Sequence, residues 1–206
     1  MPERCCSVKI DGDVEPGDEL DSDNDNDPIV QLFSSVQEII SGLSKEELGV
    51  RTSAASMLVK HAVMCSGSYF ESRLCETVSD FLRESSRDLK VAEFGIGQGV
   101  KRKYHTWFEW KVDKPRGANV FFALFGRSYK DHAVEIVKRD ESLQVAIRSF
   151  LRLGRLRNEL AHSDLVVAST EVTLDEVRVL YAQAKGFVAF IASDLPSVTD
   201  RTQTAT

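Results

Sequence analysis

Residues 51–89 read RTSAASMLVKHAVMCSGSYFESRLCETVSDFLRESSRDL, with no proline and one glycine, Gly67. Within this stretch Phe70, Leu74, Val78 and Phe81 recur at i, i+4, i+8 and i+11, the spacing that lines one face of a long helix. The same three-and-four stepping returns near the far end of the chain. There Leu174, Val177, Tyr181, Ala184, Val188, Ile191 and Leu195 follow the capping box Thr173-Leu-Asp-Glu176, and Pro196 closes the run. Upstream, Pro28 opens a helix over 29–40 that Gly42 stops, and Ser44-Lys-Glu-Glu47 forms a further capping box. Downstream, Gly95, Gly97 and Gly99 lack the strand-before, helix-after setting of a dinucleotide loop and read as a turn. A short segment follows over 101–110, then a loop through Pro115 and Gly117, then short helices over 118–125 and 129–138. Asp140 is placed to cap a helix carrying Leu143, Ile147, Phe150, Leu151, Leu156 and Leu160. No stretch alternates as a strand would, and no repeat is visible. The expected class is all-α: an antiparallel helical bundle with a long core helix and short extra helices.

At 206 residues and 42% hydrophobic content the chain is long enough for one domain with a single core. Its charge is unevenly spread. Residues 1–28 hold ten acids against Arg4 and Lys9, a net −8; the whole chain is −6, so the remainder carries +2. The leader is poor in large apolar residues, and we expect an acidic disordered tail over 1–28, a folded domain over 29–196 and a frayed end over 197–206. The leader reads as a solvated segment or as an acidic competitor for a basic groove. Its Asp21-Ser-Asp23-Asn-Asp25-Asn-Asp27 run fails as a calcium loop: counted from Asp21, position six is Asn26 and position twelve is Leu32, where the turn glycine and bidentate glutamate belong. No apolar run approaches a membrane span, and the first twenty residues lack the basic start and apolar stretch of a signal peptide. A cytoplasmic protein with no membrane partner is expected. Cys5, Cys6, Cys65 and Cys75 form no CxxC, and His61 near Cys65 matches no zinc spacing. Buried structural thiols in a reducing cytoplasm, and no metal or cofactor, are expected.

The segment that carries chemistry is 151–165, LRLGRLRNELAHSDL. Arg157 precedes His162 by five residues, and Asn158 follows the arginine directly. Five residues turn a helix by about 500°, which leaves the two side chains roughly 140° apart, flanking a surface strip. Arginine offers a planar fork to phosphate oxygens. Histidine exchanges a proton near neutral pH. Asparagine can hold a phosphate oxygen or orient the histidine. The same residues would also suit a helix end, with His162 favouring the dipole and Arg157 pairing with a carboxylate.

The placement of Arg157-Asn158-x3-His162 late in the next-to-last helix, before one long amphipathic helix, resembles the HEPN superfamily of small α-helical domains, whose hallmark is R-x4–6-H with a polar residue after the arginine. The RNxxAH segment is similar to the RiboL-PSP-type subgroup, and the stretch from Ser68 to Leu74 and the helices from Val120 to Phe150 also look similar; the likeness spans about residues 50–195. The resemblance implies a metal-independent endoribonuclease that acts as a homodimer, with two motif helices facing across a two-fold axis. Arg157 would hold the scissile phosphate, His162 would serve in proton transfer, and Asn158 would support them. The ribose 2′-hydroxyl would attack, giving a 2′,3′-cyclic phosphate and a 5′-hydroxyl. Family members often act as toxins or antiviral effectors, which implies a neutralising antitoxin or regulatory partner.

Other residues fit an RNA partner. Arg148, Arg152 and Arg155 lie at i, i+4 and i+7, a stripe able to track a phosphate backbone or to serve as a solvated face; Lys138 and Arg139 lie just upstream. Tyr104, Trp107, Phe108 and Trp110 stand among Lys101, Arg102, Lys103, Lys111, Lys114 and Arg116, either as base-stacking rings or as a core seal. His61 reads as a packed helix residue, and His105 and His132 as surface residues. Two functions stay open: a ribonuclease, and a non-catalytic HEPN adaptor or regulatory module whose groove binds a partner.

Overall fold

The computed structural model describes residues 26–43, 48–111, 114–162 and 172–197. Every regular element among them is helical: α1 (Pro28–Gly42), α2 (Leu48–Ser85), α3 (Leu89–Gly95), α4 (Asn119–Ala123), α5 (Arg127–Arg139), α6 (Glu141–His162) and α7 (Leu174–Ser197). The all-α class therefore holds. No described helix is long and apolar enough to cross a membrane. The capping box at 44–47, most of the acidic leader and residues 198–206 lie outside the described residues.

Helix α2 has 38 residues, about 57 Å of axis. It buries Val59, Ala62, Val63, Phe70, Leu74 and Val78 against α1, α6 and α7. The core is built largely from rings. Phe70 stacks on Tyr181 of α7 at 4.9 Å, and Phe150 of α6 lies 4.9 Å from both Phe187 and Phe108. Such pairs add about 0.5–1.5 kcal/mol each beyond the area they bury. Two predicted caps form as read. Asp140 accepts from the Leu143 N–H at 3.0 Å. Thr173 N–H donates to Glu176 at 2.8 Å while Glu176 N–H donates to the Thr173 hydroxyl at 3.2 Å.

Several expectations are corrected. The long helix ends at Ser85, because the Ser86 hydroxyl donates to the Asp88 carbonyl and accepts from the Asp88 N–H, while Asp88 caps α3 through the Lys90 N–H at 2.9 Å. The glycines at 95, 97 and 99 do not form a turn. They lie in α3 and in the π-helical turn Ile96–Val100, which buries Ile96 and Val100. Pro196 does not end the last helix, which runs on to Ser197. Asp27, counted with the acidic tail, belongs to the fold. It is buried, caps α1 through the Ile29 N–H at 3.0 Å, accepts from the Tyr181 hydroxyl at 2.9 Å and pairs with Lys185 at 3.1 Å. His61 is exposed rather than packed. Cys65 and Cys75 are free thiols, only partly buried.

Candidate active site

Helix α6 carries both the arginine stripe and the Arg157–His162 motif, and its C-terminal half lies against α2 and against the segment 104–111. Two glycines permit this approach. On α2, a Cβ at Gly67 would lie 2.8 Å from Cβ and Cγ of Arg157, so only glycine lets the arginine stem pass. On α6, a Cβ at Gly154 would overlap the indole of Trp110.

Having passed Gly67, the Arg157 guanidinium meets Glu71, one turn further along α2. Nη2 lies 2.8 Å from Glu71 Oε2, and Nη1 donates to Asn158 Oδ1 at 3.1 Å. Both side chains of the ion pair are about a third exposed or less. The Arg157 Nε–H is buried without a partner. Asn158 therefore contacts the arginine through its side-chain oxygen. His162 is the last residue of α6 and is exposed.

An open groove of about 750 Å³ joins these residues. Arg155, Arg157, Asn158, Glu159 and His162 form its α6 side; His105, Glu109, Trp110 and Lys111 form the other. Arg157 and His162 thus border one space despite their angular separation on the helix. His105 puts a second imidazole on the rim, a placement that its surroundings in the sequence did not signal.

Two groups near Glu71 are unsuited to proton transfer at neutral pH. Burial, reinforced by the charge of Glu71, holds the Tyr104 phenol well above its ordinary range. Burial, with Glu71 and Glu76, pushes the Cys75 thiol up to about 11. Two imidazoles, His105 and His162, line the groove itself, and an imidazole can give or take a proton.

The arginine stripe occupies a second depression of about 620 Å³ between α6 and α7, bordered by Arg148, Arg152 and Arg155. Arg155 borders both spaces. Asp175 and Glu176 face the stripe across this depression. The Glu176 carboxyl lies below its usual value, chiefly through hydrogen bonds from Thr173 and also through the charge of Arg152. Of the four aromatic residues, Tyr104, Trp107 and Phe108 are buried in the core, and Trp110 is half-buried. His132, expected at the surface, is instead partly covered and bonded to Asp194 at 3.1 Å.

Glu71, Gly67 and Gly154 were not singled out from the sequence. Their signal is weak: Gly67 and Glu71 are four apart on α2 and so share a face, but nothing local says that Arg157 lies against it. Comparison of the chain with protein families, with curated proteins and with solved structures finds no match.

Proposed function

We propose that the chain is a metal-independent endoribonuclease acting as a homodimer, as its resemblance to the HEPN superfamily implies. The observation that carries the reading is the shared groove, where Arg157 and Asn158 stand on the same wall as His162. A guanidinium has five N–H groups. Glu71 and Asn158 engage one terminal nitrogen each, so both terminal nitrogens keep an N–H for phosphate oxygens. Attack of the 2′-oxygen on the adjacent phosphorus forms the cyclic phosphate as the bond to the 5′-oxygen breaks. His162 takes the 2′-hydroxyl proton or supplies one to the leaving 5′-oxygen, and Arg157 stabilises charge on the phosphorane. Proton transfer contributes about 10²–10⁴-fold and placed charge about 10²–10³-fold. The stripe of Arg148, Arg152 and Arg155 extends the basic path beyond the groove. The resemblance further implies a cytoplasmic toxin or antiviral effector restrained by a partner protein.

The test is purified protein with end-labelled single-stranded RNA in chelator, beside Arg157→Ala and His162→Ala. Cleavage to cyclic-phosphate ends by the wild type alone is expected. No cleavage, or cleavage that both variants retain, overturns the reading. One observation favours the alternative of a non-catalytic adaptor or regulatory module: the Arg157 fork is already engaged by Glu71 and Asn158, as in a structural ion pair. That alternative predicts RNA or protein binding without cut products.

A further inference from the structure

We propose that Trp110 is a base-stacking platform on this groove, so that the site takes a single-stranded segment with one base laid against the indole beside Arg157. The inference rests on the reading of the groove as an RNA site and adds what the site selects. Tyr104, Trp107 and Phe108 are 8%, 2% and 4% exposed and cannot meet a ligand. Trp110 is only partly covered and lines the same groove as Arg157.

The ring is held before any ligand arrives. Its Nε1–H donates to the His105 carbonyl at 3.1 Å. Its benzo edge lies on Gly154, where any side chain would displace it. Phe108 and Phe150 flank it at ring separations of 5.0 and 5.8 Å. A ring fixed on several sides loses little freedom when a base stacks on it. Gly154 precedes Arg157 by three residues, about 4.5 Å along the helix axis. Trp110 and Arg157 also line one groove, so a nucleotide lying in it meets both. Lys111, next in sequence, adds a cation on the same wall. Bases inside a duplex are stacked on both faces and cannot use such a platform. Indole stacking tolerates any base, so the preference is for strandedness over sequence.

The experiment is tryptophan emission during titration with a single-stranded 2′-O-methyl RNA, which is bound without being cut. The chain has two tryptophans, and Trp110→Phe leaves only buried Trp107 while keeping an aromatic filler. The wild type should be quenched by the strand, and Trp110→Phe should not. A strand of abasic sites, with phosphates but no bases, should leave the emission unchanged. Trp110→Ala should weaken strand binding about tenfold at unchanged salt dependence, whereas a duplex should bind alike to both. Strand binding without quenching, equal quenching by the abasic strand, or no strand binding at all overturns the proposal. Quenching without cleavage keeps the platform and removes the ribonuclease reading; cleavage without quenching does the reverse.

Discussion

Arg157 and Glu71, 86 positions apart in the chain, meet at 2.8 Å across the α2–α6 interface. The contact exists because Gly67, one turn earlier on α2, leaves room for the arginine stem. It decides which way the guanidinium points.

Gly67→Ala should therefore disturb the site without removing any of its functional groups. Its Cβ would stand 2.8 Å from two carbons of Arg157, forcing the stem off α2 and the fork off Glu71. We expect a stability loss of about 1–3 kcal/mol in chemical denaturation and at least a tenfold fall in RNA cleavage. Unchanged cleavage in a folded variant would mean that the position of the fork does not matter.

His162→Ala should remove activity and spare the fold. The residue is exposed at the helix end, so truncation opens no cavity and stability should stay within about 0.5 kcal/mol. Cleavage should fall at least about 10²-fold, with or without magnesium. Arg157→Lys should recover only part of what Arg157→Ala loses, since an ammonium lacks the fork. A substrate with hydrogen in place of the scissile 2′-hydroxyl should resist the wild type completely.

Assembly is open to direct measurement. Sedimentation of the full chain at micromolar concentration should give twice the 23.0 kDa chain mass, as expected if two grooves combine about a two-fold axis. A fully active monomer would rule out a composite site.

Asp27 should tie stability to acid. Burial pushes its carboxyl up, but hydrogen bonds from Lys185, Tyr181 and the Ile29 N–H outweigh this and hold it below its ordinary value of 3.8. A carboxyl lowered on folding contributes fully above its unfolded value and loses that contribution as pH falls through the folded one. The stability advantage of the wild type over Asp27→Asn should thus be full at neutral pH and shrink below about pH 4. Asp27→Ala should lose about 2–4 kcal/mol at pH 7, through a lost cap and an unpaired Tyr181 hydroxyl. Deletion of residues 1–28, which removes Asp27, should lower the melting temperature for the same reason.

Helix identity was legible because its causes are local. The spacing of Phe70, Leu74 and Val78, the Asp140 cap and the reciprocal Thr173–Glu176 bonds each depend on residues a few positions apart, and any helix containing them would show them. The Arg157–His162 strip was legible for the same reason: helical pitch alone sets the angle between the two side chains. What lay beyond this was decided between elements. Nothing near Gly95, Gly97 and Gly99 says that Ile96 and Val100 find a core to bury in, so the triplet reads as a turn until the neighbouring helices are present. Nothing near Asp27 says that Tyr181 and Lys185 wait for it, so its charge reads as solvated. The company of Arg157 on Glu71 and the bed of Trp110 on Gly154 are likewise products of packing, since both require two backbones to approach more closely than a side chain would allow. The sequence by itself determined the helices and the residues able to do chemistry; tertiary packing decided which of those residues share a groove and which are buried, because burial and long-range contact depend on how separate helices fill space together.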